Sequence, residues 1–170
     1  LLRVLVDDAR EAGTFPSLAR VFCGGEPMTS DLVAAFYATL GASGAELVNV
    51  YGPTEATIVS TALLCTAGAG DPVSIGRPLG GVGVQVVGAQ GELSLPGTAG
   101  ELCLSGPQLA RGYLGQPALT ASLFVPDPYG DRPGDRRYRT GDLVRWNEGG
   151  ELEYLGRIDH QIKLRGYRIE

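Results

Sequence analysis

The sequence predicts an α/β layer of βαβ type followed by a small all-β part. In the first third, short apolar runs alternate with a stretch whose apolar residues recur every three or four positions, the period of a half-buried helix. Beyond residue 71 the apolar runs are short, closely spaced and separated by glycines. Twenty-six glycines and 11 prolines in 170 residues favour strands and loops over long helices, and 44% hydrophobic against 19% charged residues suits a chain with a buried core.

Residues 1–12 read as the end of a helix closed by Gly13, and 18–23 as a strand stopped by Gly24 and Gly25. A second helix follows. Thr29 or Ser30 caps it, Asp31 suits its first turn, and Leu32, Val33, Phe36, Tyr37 and Leu40 form one apolar stripe before Gly41. Residues 46–50 form the next strand, which runs into Tyr51-Gly52-Pro53, and 56–65 a third. Small residues dominate 66–71, and the pattern then changes to strands at 82–87, 100–105, 139–146 and 151–156, as in a small barrel or sandwich. Residues 117–124 read as one short helix with Pro117 in its first turn. The charged stretch 157–170 reads as a strand that stops unfinished, so the chain is expected to be a piece of a longer polypeptide.

A net charge of −5 argues against a nucleic-acid surface. No run approaches the roughly 18 apolar residues of a membrane span, and no secretory leader is visible. Cys23, Cys65 and Cys103 are odd in number, far apart and without a CxxC pair, so neither a disulfide frame nor a metal centre is indicated, and a cytoplasmic setting is expected. With one histidine, His160, and one lysine, Lys163, the chain is poor in proton-transfer groups. Gly80, Gly81 and Gly83 do not make GxGxxG, no GxxxxGK[ST] occurs, and the Ser43 region lacks the spacing of GxSxG.

Three clusters carry chemistry. Asn49-Val50-Tyr51-Gly52-Pro53-Thr54-Glu55 sets an aromatic ring, a hydroxyl and a carboxylate on a turn after a strand. These are parts a nucleotide site uses, with Glu55 a hard oxygen donor suited to Mg2+ beside phosphates; a Gly-Pro turn with an exposed glutamate is the plainer alternative. Tyr138-Arg139-Thr140-Gly141-Asp142-Leu143 presents one aspartate, able to accept from paired ribose hydroxyls or to close its own turn. The segment 156–170 alternates cations with apolar residues, either to face anions or as a solvated strand edge.

Taken in order, with Gly100-Glu101-Leu102 and Ala110-Arg111-Gly112-Tyr113-Leu114 between the first two clusters, these segments resemble four successive core motifs of the amino-acid adenylation domains of nonribosomal peptide synthetases. The terminal stretch is closer to that branch than to acyl-CoA synthetases or luciferases. The resemblance implies the C-terminal part of the large adenylation subdomain: residues 1–70 the end of its α/β part, 71–156 a small distorted β-barrel, and 157–170 the hinge and first strand of a small lid. It implies activation of an amino acid with ATP and Mg2+ to aminoacyl-AMP, and transfer to the phosphopantetheine thiol of a peptidyl carrier protein. Nucleic acid and membrane are not among the implied partners.

By the same resemblance Tyr51 stacks on adenine, Thr54 contacts the α-phosphate, Glu55 binds Mg2+, Asp142 takes the ribose hydroxyls, and Arg157 lies beside the ribose, with Asn49 and Gly52 in the nucleotide-binding segment. Asp159 matches the hinge, and Lys163 to Gly166 a loop that moves with the lid. Phe22, Gly24, Val50, Ile58 and Val59 match substrate-pocket positions, and all are apolar or lack a side chain, which favours an apolar amino acid. The family's phosphate loop, its catalytic lysine and the aspartate that pairs with the substrate's amino group match nothing in these residues, so the other adenylation-domain segments are expected partners and the chain alone is expected to be inactive. The rival expectations are a non-catalytic nucleotide-binding or interaction module that keeps the motifs, or another adenylate-forming ligase.

Overall fold

In the computed structural model, which describes residues 1–12, 15–158, 162–164 and 167–169, the chain opens with helix α1 (Leu2–Ala12). Its Leu2, Val6 and Ala9 lie at helical spacing and are buried. Strand β1 (Arg20–Gly24), helix α2 (Ser30–Leu40) and strand β2 (Glu46–Tyr51) form the expected βαβ unit, with β1 and β2 parallel and Phe22 beside Val48. Thr29 caps α2, its hydroxyl accepting from the Leu32 N–H. Val33, Phe36 and Leu40 are fully buried against Leu47, Val6 and Cys65, a first core under the sheet.

After β2 the chain makes a 3-10 turn (Thr54–Ala56) and then passes through Thr57 and Ile58, both at positive φ, 55° and 70°. Strand β3 (Thr61–Leu64) therefore starts five residues later than the expected strand at 56–65, because β-branched residues that suit a strand are used here in left-handed backbone. Antiparallel β3 joins β2, and the two-residue β4 (Arg77–Pro78) joins β3, giving the order β1-β2-β3-β4.

The second sheet contains β5 (Gly83–Val87), β6 (Gly100–Ser105), β7 (Phe124–Pro126), β8 (Arg136–Trp146) and β9 (Leu152–Arg157), with helix α3 (Pro117–Leu123) leading into β7. Its order is β5-β6-β8-β7, and β9 pairs with the later part of β8. Two register shifts bend the sheet, one between Glu101 and Cys103 on β6 and one between Leu143 and Val144 on β8. The distorted barrel is thus a curved, five-stranded sheet that stays open among the described residues. Val86, Leu102, Leu104, Val144 and Leu152 form its core, and Tyr51, Ala56 and Ile75 from the first part pack into the same cluster. Backbone bonds fasten the joint: the Ile75 N–H donates to the Leu152 carbonyl at 2.8 Å, and the Leu152 N–H to that of Gly76 at 2.9 Å.

The charged end differs from the expected single strand. Two short strands, β10 (Ile162–Leu164) and β11 (Tyr167–Ile169), pair antiparallel with Lys163 opposite Arg168. Leu164 pairs with Tyr167 at one end of the ladder and Ile162 with Ile169 at the other. The hinge position Asp159, and Gly166, lie outside the described residues.

Candidate functional site

The site forms where the end of β2 meets β8 and β9. Tyr51, the last residue of β2, donates its hydroxyl to Asp142 Oδ2 across the joint between the sheets. Arg157 at the end of β9 donates from Nη1 to Asp142 Oδ1 at 3.1 Å and to the Thr140 carbonyl at 2.7 Å. The Tyr154 hydroxyl stands 3.5 Å from the same Oδ1, and its ring lies 6.5 Å from that of Tyr51 at 37°. Asp142 is 2% exposed and Tyr51 8%. Burial, and next to it the Asp142 carboxylate, hold the Tyr51 phenol well above the usual tyrosine range, so it remains a donor.

A local device aims Asp142. Between Arg139 and Leu143, β8 carries more residues than the facing Glu101–Cys103 of β6, and Gly141 takes φ 70° there. Thr140 Oγ1 donates to the Leu102 carbonyl at 2.8 Å and accepts from the Asp142 N–H at 3.0 Å. Glu101 accepts from the Gly141 N–H through Oε1 and from Arg139 through Oε2. Asp142 stays on the buried face of the strand, with Tyr138, Thr140 and Val144, and from there meets the Tyr51 hydroxyl of β2.

Next to this cluster a cleft is lined by Gly25, Glu26, Pro27, Asn49, Tyr51 and Tyr154, among others. Wider grooves beside 130–136 share no lining residue with it. Asn49 is buried and donates to the Ser74 carbonyl at 2.8 Å, so its side chain ties β2 to the 72–75 connection. Gly52 has a reason in packing: a Cβ there would stand 2.5 Å from the Ile58 carbonyl oxygen.

Thr54 and Glu55 lie on the 3-10 turn, Thr54 exposed and Glu55 half-buried. The Tyr113 hydroxyl donates to Glu55 Oε1 at 2.6 Å, and the Ala110 N–H to the Glu55 carbonyl at 2.8 Å. Among the described residues no group of three or more His, Cys, Asp or Glu could hold a metal. One accessible carboxylate with a neighbouring hydroxyl nevertheless suits Mg2+, which takes one or two carboxylates and completes its shell with phosphate oxygens and water.

Of the five pocket positions, Phe22, Gly24 and Val50 share one face of the sheet by register. Phe22 is 64% exposed and Ile58 71%, while Val50 and Val59 are half-buried. Gly24 also has a packing reason, since a Cβ would lie 2.1 Å from the Val50 carbonyl oxygen. Sequence reasoning did not single out Tyr154, Thr140 or Glu101, and gave Tyr113 no role. Nothing in the sequence pattern sets Tyr154 apart; the strand register brings it opposite Val144, two residues beyond Asp142.

The description AMP-binding enzyme is that of the family that matches residues 1–114. Tyrocidine synthase 3 of Brevibacillus parabrevis is 48% identical over 168 residues, 98% of this chain and 2% of that protein. Phosphinothricin tripeptide synthetase PhsC of Streptomyces viridochromogenes is 48% identical over 159 residues, 94% of this chain and 14% of that protein. Among solved structures, PA1221, a nonribosomal peptide synthetase protein containing adenylation and carrier (PCP) domains, superposes with a TM-score of 0.87 at 35% identity, over 99% of this chain and 34% of that one. The adenylation domain AlmE of Vibrio cholerae, in complex with glycyl-adenosine-5'-phosphate, gives 0.79 at 34% identity over 97% and 32%. The chain thus spans about a third of these solved chains and a small part of the synthetases.

Proposed function

The chain belongs to the AMP-binding enzyme family, as a segment of a nonribosomal peptide synthetase adenylation domain, and from that premise we propose that it forms the nucleotide-facing part of an ATP-dependent amino-acid adenylating ligase. The observation that carries this reading is the convergence of Tyr51, Tyr154 and Arg157 on the buried Asp142 at the rim of one cleft. A carboxylate offers about four lone-pair directions, so Asp142 has acceptor capacity to share with two ribose hydroxyls. The tyrosine rings at the cleft give a purine an apolar face. The aminoacyl adenylate bound to AlmE supports placing AMP and an amino acid side by side here.

Attack of an amino-acid carboxylate on the α-phosphate crowds negative charge, so this chain's contribution is placement: Thr54 donates to the α-phosphate, Asp142 and Arg157 hold the ribose, and Glu55 anchors Mg2+. When bound, Mg2+ supplies Lewis-acid neutralisation of phosphate charge. Phe22, Gly24, Val50, Ile58 and Val59 form one wall of the amino-acid pocket and favour an apolar side chain. The aminoacyl group then passes to the phosphopantetheine thiol of a carrier protein, with the segment from Asp159 onward as hinge and lid; the carrier domain in PA1221 supports that partner. The division at 70/71 and 156/157 follows from the same reading. By itself the chain is inactive, because the phosphate loop and catalytic lysine belong to other segments. Among the described residues no helix is long and apolar enough to cross a membrane, and the free cysteines suit a cytoplasmic setting.

Asp142→Asn in the complete adenylation domain tests the reading. Losing a charged acceptor that serves ground and transition state alike raises the KM for ATP about tenfold and leaves kcat nearly unchanged. Unchanged ATP kinetics would reduce Asp142 to a structural turn residue.

A further inference from the structure

We infer that Tyr113 is a positioning residue for Glu55, fixing the carboxylate that the proposed function assigns to Mg2+. This rests on that reading for its metal, and on geometry for the link itself. The two residues are 58 positions apart, and the Tyr113 hydroxyl donates to Glu55 Oε1 at 2.6 Å. A second tie runs alongside, the Ala110 N–H donating to the Glu55 carbonyl at 2.8 Å, so the segment 110–113 grips both the backbone and the carboxylate of one residue.

Tyr113 is itself held from three sides. Its N–H donates to Thr120 Oγ1 at 2.9 Å, its carbonyl accepts from the Gln116 N–H at 3.1 Å, and its ring meets Phe124 nearly edge-on at 5.7 Å. Gly112 lets the chain pass under Thr120: at φ 144° a Cβ would stand 2.3 Å from Thr120 Cγ2. Helix α3 and β7 therefore act as a buttress for the tyrosine, and through it for the turn that carries Thr54 and Glu55. A tyrosine hydroxyl carries its proton at neutral pH and a carboxylate can only accept, so Tyr113 is the donor in this bond. Hydrogen bonds to a metal-binding carboxylate commonly carry about ten- to a hundredfold in metal affinity or activity.

The test compares Tyr113→Phe, Glu55→Gln and the double substitution in the complete adenylation domain. Tyr113→Phe keeps the ring against Phe124, and a thermal melt checks that folding is preserved. One readout is the dissociation constant of Mn2+ in the presence of ATP, followed by the electron paramagnetic resonance of free Mn2+; the other is the Mg2+ concentration for half-maximal adenylation. Tyr113→Phe is expected to raise both about tenfold with the amino-acid KM unchanged, and to have little further effect once Glu55 is Gln. Additive effects, or wild-type metal dependence in Tyr113→Phe beside a weakened Glu55→Gln, would overturn the inference. Coupling between the two sites in adenylation rate, with normal Mn2+ binding in both single variants, would keep the positioning link and sink the metal reading of Glu55. If Tyr113→Phe does not fold, Glu55→Asp serves instead: one methylene shorter, it withdraws the carboxylate from the hydroxyl and must reproduce the same rise, and normal metal dependence in it overturns the link.

Discussion

A carboxylate that is 2% exposed is tolerated at position 142 only because its oxygens are engaged, by the Tyr51 hydroxyl on one side and by Arg157 and Tyr154 on the other. A ribose that binds Asp142 has to share it with these groups, and Tyr51 then serves twice, its ring facing the cleft and its hydroxyl steadying the carboxylate. The two uses separate experimentally. Tyr51→Phe keeps the ring and removes a donor to a buried charge, so it lowers unfolding free energy by about 1.5–3 kcal/mol, read from denaturant midpoints. The KM for ATP moves far less than in Asp142→Asn. A large KM change with unaltered stability would mean that the hydroxyl faces ligand and not Asp142.

At the scale of elements, Gly24 decides between room for substrate and room for backbone. It pairs with Val50 across the parallel strands, and a Cβ would stand 2.1 Å from the Val50 carbonyl oxygen and 2.9 Å from Val50 Cγ2. Gly24→Ala is therefore expected to cost about 1–3 kcal/mol of stability by overpacking, read in the urea midpoint, besides any effect on the choice of amino acid. An alanine variant as stable as the parent would leave pocket space as the only reason for glycine. Elements with a clear period were legible in the sequence: the stripe from Val33 to Leu40 and its Thr29 cap gave α2, and 100–105 coincided with β6. What sequence patterning could not carry was context. Thr57 and Ile58 have strand propensity but stand at positive φ, and β4 and β7 are too short, at two and three residues, to show any period. In the site, the Asn49–Glu55 run and Asp142 stood out because, in order with the other segments, they match the motifs of one family; by residue type alone each also suits an ordinary turn. Tyr154 did not, since an aromatic in an alternating strand reads as core, and the partnership of Tyr113 with Glu55 spans 58 positions.

Over the whole molecule burial raises several proton-bearing groups, Cys23 and Cys65 in or beside the first sheet and Cys103, Tyr51 and Tyr113 in or against the second. Burial pushes the Cys103 thiol up to about 12, and Tyr51 and Tyr113 are held above the usual tyrosine range. The folded chain therefore keeps protons that the unfolded chain releases, from about pH 8.5 for the thiol and about pH 10 for the phenols. With more protons bound in the folded state, the slope of unfolding free energy against pH is negative, so stability is complete below these values and falls as pH rises. Cys103 contributes up to about 1.4 kcal/mol per pH unit while only its unfolded form is ionised. Cys103 is 1% exposed in β6, between Leu102 and Leu104 of the second core, so its share is not diluted by solvent. Cys103→Ala lowers stability at neutral pH by removing a packed side chain, yet it flattens the decline between pH 9 and 11, so that the curves for parent and variant converge. Urea midpoints measured across that range check this, and parallel curves would mean that the thiol ionises as freely in the folded chain as in the unfolded one.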